Sequence, residues 1–372
     1  MTEILPTDTP DAMRQAIDRA VAVLASGDVV AMPTETVYGL AAEALSEGAL
    51  EKIFEAKGRP TSDPLIIHLP TKDYLDEVCI LPDDEEVAET IREMVAQLWP
   101  GPLTLLLPKR PCVPDLATAG LPTVAVRMSS HAVFRKVITA LDRPLAAPSA
   151  NLFGQITATS ATAVMDELGG RIPLILDAGA SHHGIESTIV KVVPGKKKPD
   201  IIVLRPGALT KEDLRPFGKV YFEHDTYTGG GPKRYIPRTP RPDPGAPKPT
   251  PKAVEAPGML ESHYAPKTPL RVLSDPSDFQ PEDGKSYALI SYRGVVDDGY
   301  CELHEWDELM ILSPGSGKMP EAAVRFYYVL READLSGVDE IIAEPIPERA
   351  QGVALLDRLR RAAADSGSAN SE

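Results

Sequence analysis

Between residues 225 and 258 the chain carries nine prolines, a Gly-Gly-Gly and six Lys or Arg residues. Proline fixes φ and has no amide hydrogen to donate, so such a run joins neither a helix interior nor a central strand. It reads as an extended linker. At 372 residues the chain is already long for one domain, and the linker divides it in two. The expected organisation is a first domain at 1–220, the linker at 221–258 and a second domain at 259–372. The tail DSGSANSE, 365–372, is expected to fray.

Charge and cysteine content narrow the class. A net charge of −15 and a pI near 5.0 argue against a broad surface for nucleic acid or anionic lipid. Aromatics at 5% leave few platforms for stacking single-stranded bases. The linker, basic within an acidic chain, is the segment suited to touch an anion. Cys79, Cys112 and Cys301 are odd in number, far apart and in no C-x-x-C, which excludes a disulfide framework and a cysteine-built zinc site. No secretory signal opens the sequence and no apolar run approaches a membrane span, so the expected location is cytoplasmic and the expected partners exclude a membrane.

Helix and strand signals alternate irregularly before the linker. Thr9 caps a helix with Pro10 in its first turn and Met13, Ile17, Val21 and Leu24 at helical spacing up to Gly27. The strand VVAM breaks at Pro33, EGALEKIFEAKG reads as a helix and PLIIHL as a buried strand. A helix near Glu85 to Leu98 precedes WPGPLTLLL; TVAVR, LAAPSAN, LILD, STIVKVV and IIVLRPG supply further strands, with helices at 131–141 and 161–168. The pattern is α/β, a twisted mixed sheet with helices. Past the linker, LRVL, YALISY and DEIIAEPI read as strands and 320–333 and 353–364 as helices, a smaller Rossmann-like α/β domain.

Polar residues gather where strands stop. MPTETVYGLAAEA (32–44) places Thr34, Glu35, Thr36 and Tyr38 ahead of Gly39, as ligand contacts or as an ordinary Ser/Thr turn. KGRPTSDPLIIH (57–68) sets Lys57, Arg59, Asp63 and His68 around a proline-stiffened turn. Cations there suit the helix dipole, but an arginine fork also matches phosphate or carboxylate oxygens. His68 within a strand is either a core histidine or a ligand. TVAVRM carries Thr123 and Arg127, and a buried arginine calls for an anion. AAPSAN ends in small residues with Ser149 and Asn151; GIESTIV offers Glu186, Ser187 and Thr188; LRPG ends on Arg205. Each has a structural explanation singly. Together they favour one shared anion-binding cleft. No G-x-x-x-x-G-K-[ST], G-x-S-x-G or H-E-x-x-H occurs, which excludes a P-loop, a hydrolase elbow and a zincin site.

The ordered motifs PTETVYGLAAEA, KGRPTSDPLIIH, WPGPLTLLL, TVAVR, APSAN, GIESTIV and LRPG resemble the YrdC-type domain of the threonylcarbamoyl-AMP synthase family over roughly residues 10–215. APGMLESHYAPKTPL and GVALLDRLRRAA resemble its long, two-domain form. The resemblance implies a YrdC-type fold with a concave cavity. It also implies a reaction: L-threonine, bicarbonate and ATP give L-threonylcarbamoyl-adenylate and pyrophosphate. That product feeds threonylcarbamoyl modification of an adenosine beside the tRNA anticodon, carried out with partner transferase proteins. By the same resemblance, Thr36, His68, Arg127, Ala147 and Ser187 surround threonine, with Thr34 as a neighbour. Arg59, Asp63, Thr123, Ser149, Thr157, Arg205 and Tyr264 meet ATP. Lys57 and Arg59 act catalytically on its phosphates, Mg²⁺ shares their charge, and no metal is held by the protein alone. The linker becomes a lid that Tyr264 completes. A double-stranded RNA-binding module is the rival reading, disfavoured by the net charge of −15. Carbamoyl transfer to a protein, as in hydrogenase maturation factors with a related domain, is disfavoured by the lack of zinc-finger cysteines.

Overall fold

The computed structural model describes residues 1–223, 254–259 and 264–364. Most of the expected linker, and the tail at 365–372, lie outside the described residues.

The first helix, Pro10–Ala25, starts as its sequence dictates: Thr9 Oγ1 accepts the Ala12 amide at 3.2 Å and Pro10 occupies the first turn. Its fully buried stripe is Ala16, Ala20, Val23 and Leu24; of the expected Met13, Ile17, Val21 and Leu24, the first three are partly buried and pack against the edge of the same core. Two alanines let this helix lie close against the helix Ala132–Leu141 and the sheet beneath, so small residues mark the inner face.

Eleven strands form one mixed sheet. They are β1 (Glu3–Pro6), β2 (Val30–Met32), β3 (Gly39–Glu43), β4 (Ile66–His68), β5 (Leu103–Pro108), β6 (Thr123–Arg127), β7 (Leu145–Ala146), β8 (Leu174–Asp177), β9 (Thr188–Val193), β10 (Asp200–Arg205) and β11 (Lys219–Phe222). Their order is β1-β8-β2-β3-β7-β4-β6-β5-β9-β10-β11. The central strands alternate as the pleat requires. Ile67, Leu105, Val126 and Val190 enter the largest core, shared with the helices Glu47–Lys57 and Glu85–Leu98. Ile66, Leu106, Ala125 and Ile189 face the other way and meet Ala256 and Met259 from the linker's end. Helices Pro10–Ala25 and Ala132–Leu141 cover the β2–β8 half of this second face. His68 and Arg127 are register partners on it, in the gap between those helices and the linker segment. The site therefore lies on a face of the sheet, not beyond its strand ends.

The second domain is a parallel sheet of β12 (Leu270–Val272), β13 (Tyr287–Ser291), β14 (Glu308–Ile311) and β15 (Glu340–Ala343), in the order β12-β15-β13-β14. Helices Met319–Leu335 and Gly352–Ala363 pack on it. The molecule is thus a mixed α/β domain plus a smaller Rossmann-like one, as its pattern leads one to expect. No helix among the described residues is long and apolar enough to cross a membrane.

Candidate active site

A cavity on the open face is lined by the 34–39 turn, the ends of β4 and β6, the 147–149 segment, Glu186–Ser187, Arg205 and, from beyond the first domain, Pro257, Gly258 and Tyr264. It gathers Thr36, Arg59, His68, Arg127, Ala147, Ser149, Ser187, Arg205 and Tyr264 from the expected site residues, and Thr34 with them.

One wall is built on Arg127. Its Nη2 donates to Glu35 Oε1 at 2.6 Å and its Nη1 to Thr36 Oγ1 at 3.0 Å. Its Nε has no partner among the described residues. Ser129 donates to the other Glu35 oxygen. Burial pushes the Glu35 pKa up, but the Arg127 charge and the Ser129 and Arg127 hydrogen bonds outweigh it and hold it at about 2. Thr34 and Thr36 share a 2.8 Å hydrogen bond, and Thr34 Oγ1 also donates to the Val37 carbonyl, so the turn is tied to itself and to Arg127. His68 is buried against Phe134, ring centroids 4.7 Å apart. Burial and the nearby Arg127 charge lower its pKa to about 3, so the imidazole is neutral at working pH. Its Nδ1 is unpartnered among the described residues.

The opposite wall is built on Arg205, which lies three strand positions from Arg127, about 14 Å at sheet spacing. Arg205 Nη2 donates to Ser187 O and Oγ, each at 3.0 Å, and Nη1 to the Pro257 carbonyl at 3.3 Å. Ser187 Oγ also pairs with Thr104 Oγ1 at 2.8 Å. Arg205 thus joins the β9 start to the linker's end. Gly258, at φ +77°, lets Tyr264 close in: a Cβ there would stand 2.7 Å from the Tyr264 hydroxyl. Tyr264 is itself held at φ +67°, a conformation a non-glycine keeps only under the constraint of its surroundings. Its ring lies under the Arg358 guanidinium at 5.0 Å and beside Tyr327 at 5.9 Å. Burial raises its pKa to about 12.

Four expected residues do not line the cavity. Lys57 donates to the carbonyls of Ser149 at 2.6 Å and Asn151 at 2.5 Å, and so holds the 149–151 loop. Burial and Arg59 lower its pKa far below the usual lysine value. Asp63 ion-pairs with Arg59 at 2.9 Å, while Oδ1 has no partner among the described residues. The rest of that arginine holds its own turn, with Nε on the Asp63 carbonyl and Nη2 on the Pro64 carbonyl. Thr157 donates to Glu186 Oε1 at 2.9 Å. Thr123 stands at the far end of β6 from Arg127, paired in register with Pro108.

Sequence reasoning left Glu35 and Glu186 without roles and did not single out Tyr327 or Arg358. Glu186 lines the cavity and accepts from Thr157, from Tyr327 Oη at 2.8 Å and from Arg358 Nε at 3.0 Å. Burial raises its pKa, yet Arg358 and Arg205 bring it below the ordinary carboxylate value. The second domain therefore reaches the wall of the cavity through buried ionic contacts.

The cavity encloses about 40 Å³, well under the volumes of small-molecule pockets. No group of three or more His, Cys, Asp or Glu placed to hold a metal occurs among the described residues.

Residues 22–207 match the Sua5/YciO/YrdC family, described as "Telomere recombination", and residues 210–364 match "Threonylcarbamoyl-AMP synthase, C-terminal domain". The chain is 36% identical to the threonylcarbamoyl-AMP synthase of Pyrococcus abyssi over 92% of each chain. It is 34% identical to that of Bacillus subtilis over 98% of this chain and 96% of the relative. A crystal structure of P. abyssi Sua5 complexed with L-threonine superimposes with a TM-score of 0.78 at 32% identity, covering 98% of this chain and 97% of the other.

Proposed function

The chain belongs to the threonylcarbamoyl-AMP synthase family, and from that premise we propose that it joins L-threonine, bicarbonate and ATP into L-threonylcarbamoyl-adenylate, releasing pyrophosphate. It is an enzyme, a nucleotidyltransferase. The observation that carries the substrate reading is the pair of buried arginines, Arg127 and Arg205, facing one enclosed space. The reaction needs two anions side by side, a carbamate and a triphosphate.

The threonine amine adds to bicarbonate with loss of water to give the carbamate. A carbamate oxygen then attacks the α-phosphorus, and the bond to the β-phosphate oxygen breaks to free pyrophosphate. No enzyme nucleophile is required; orientation and charge neutralisation supply the rate. Arg127 Nε, unpaired among the described residues, would take the threonine carboxylate, with Thr36, Ser187 and neutral His68 supplying hydrogen bonds and Ala147 closing the side. Arg59, Arg205, Ser149 and Tyr264 would meet ATP. Lys57, Asp63 and Thr157 would act one layer behind: Lys57 through the Ser149 loop, Asp63 through Arg59, Thr157 through Glu186. Thr123 lies too far along β6 to join them without ATP extending beyond the present cavity. Mg²⁺ would arrive on the phosphates of ATP, neutralising them. Among the described residues, both oxygens of Glu35 and of Glu186 accept hydrogen bonds, while the buried Asp63 Oδ1, beside Arg59, has no partner. The domains at 1–220 and 259–372 would close on the substrates through the 221–258 lid, excluding water from the carbamate. The adenylate would pass to transferase proteins that modify tRNA.

Pyrophosphate release by the purified protein with ATP and Mg²⁺, omitting threonine or bicarbonate in turn, tests the reading. Release should require both. Release indifferent to either would assign the cavity to another substrate.

A further inference from the structure

The two buried arginines that anchor the cavity walls stand against different partners. Arg127 is ion-paired at 2.6 Å with Glu35, a carboxylate as buried as itself that does not line the cavity. That carboxylate is fixed from several sides. Ser129 donates to its second oxygen, and the Ser129 hydroxyl is oriented by the His131 amide, which it accepts at 3.3 Å. The Glu35 carbonyl accepts the His183 amide at 2.9 Å. Arg205 makes no ion pair among the described residues. Its donors go to Ser187 O and Oγ and to the Pro257 carbonyl, all neutral. The carboxylate facing it, Glu186, is ion-paired with Arg358 at 3.0 Å.

The neighbouring groups preserve this contrast. Around Glu35, His68 is neutral, and burial also lowers the pKa of His131 and of His183. His182, with its ring 6.2 Å from that of His131, is exposed. Arg135, the next cation, is half-buried, donates to the Leu69 carbonyl at 3.1 Å and to that of Pro70, and does not line the cavity. The Arg127 wall is therefore close to neutral. On the other wall Arg59 adds a second cation, and burial raises the pKa of its partner Asp63. That wall keeps the uncompensated charge of Arg205.

We propose that Glu35 sorts the two substrates: by cancelling the Arg127 charge it makes this wall select an amino acid as its zwitterion and leaves polyphosphates to Arg205. A lone buried guanidinium would attract any anion, a triphosphate most strongly. Beside Glu35 the same guanidinium still gives a carboxylate its hydrogen bonds, while the pair as a whole offers an anion little net attraction. A zwitterion loses nothing there. Its ammonium is drawn by the Glu35 charge as its carboxylate is drawn by Arg127, and burial leaves both attractions less screened than in water. Selectivity then comes from a repulsive element as much as from an attractive one. This sorting presupposes the catalytic reading and deepens it: Glu35 is what keeps ATP off the threonine wall.

Calorimetry on the full-length protein reads the sorting directly, with L-threonine, with (R)-3-hydroxybutyrate, which is threonine without its amine, and with inorganic pyrophosphate. The parent should bind threonine at least about tenfold tighter than hydroxybutyrate, and pyrophosphate should not displace threonine from it. Glu35→Gln keeps an acceptor for Arg127 and removes the charge. It should weaken threonine about tenfold, strengthen hydroxybutyrate by a similar factor and let pyrophosphate compete with threonine. Ser129→Ala keeps the carboxylate and should keep the preference. A Glu35 that only props the fold would weaken both ligands alike in Glu35→Gln, and that result would overturn the assignment. So would hydroxybutyrate binding the parent as tightly as threonine, a measurement that needs no variant. A parent that binds no threonine at all would instead overturn the catalytic reading, and this role of Glu35 with it.

Discussion

Arg127 donates to Glu35 at 2.6 Å with both side chains 4% exposed, so the arginine expected to bind an anion already holds one. The ordinary glutamate value is 4.5 and the folded one is about 2. A depressed carboxylate stabilises the fold above its unfolded pKa and loses that contribution as pH falls through the folded one. The window therefore runs from about pH 4.5 down to about pH 2, and the contribution is on the order of 3 kcal/mol at neutral pH. Glu35→Gln should be less stable than the parent at pH 7. Urea unfolding should show the difference shrinking across that window; a constant difference would remove the ionic account.

Arg127 should also govern threonine use alone. Arg127→Ala should raise the threonine KM by about 100-fold or more, the cost of a lost charge-assisted contact, with ATP binding kept within a small factor. Arg205→Ala should do the reverse, because its guanidinium stands on the opposite wall and reaches the linker's Pro257 carbonyl. Binding of each substrate by calorimetry separates the two, and equal loss of both in either variant would dissolve the assignment.

The approach of Tyr264 to the cavity depends on one glycine. Gly258→Ala would bring a methyl to 2.7 Å from the Tyr264 hydroxyl and strain a backbone at φ +77°. The variant should keep threonine affinity, since the Arg127 wall is untouched, and lose about tenfold or more in kcat. Water reaching the carbamate should also lower the ratio of adenylate formed to ATP consumed. An unchanged ratio would mean that Tyr264 does not exclude solvent.

Much of this was legible because strand patterning and caps are local. Thr9 caps its helix through its own side chain as read, and β4, β6 and β10 end on His68, Arg127 and Arg205. β3, GLAAE, was missed: glycine and alanine carry little strand preference, and the segment is a strand because β2 and β7 pair with it on both sides. The roles of Lys57 and Asp63 were hidden for another reason. Sequence shows a cation in a turn but not whether its donors point at a ligand or at the carbonyls of Ser149, 92 residues away. Arg358 did leave a trace: it sits at Leu355, Arg358, Leu359 and Ala362, inside the apolar stripe of its helix, where a charge needs a buried partner.

That partner is Glu186, and it makes the second domain a structural part of the first domain's site. Arg358 is fully buried, with Nε on Glu186 Oε2 and Nη2 on the Pro206 carbonyl at 2.9 Å. Removing one member of such a pair strands the other charge, which typically costs about 3–5 kcal/mol, while removing both leaves neither charge uncompensated. Arg358→Met should therefore lower the urea midpoint strongly, and adding Glu186→Gln should recover much of the loss, a coupling a double-mutant cycle measures directly. Because the Glu186 carboxylate also faces the Arg205 charge, the single variant should also weaken ATP binding. If stability fell with no coupling between the two sites, Arg358 would be holding Asp357, the Pro206 turn and the Tyr264 ring, and Tyr327 would carry the second domain's contact with Glu186.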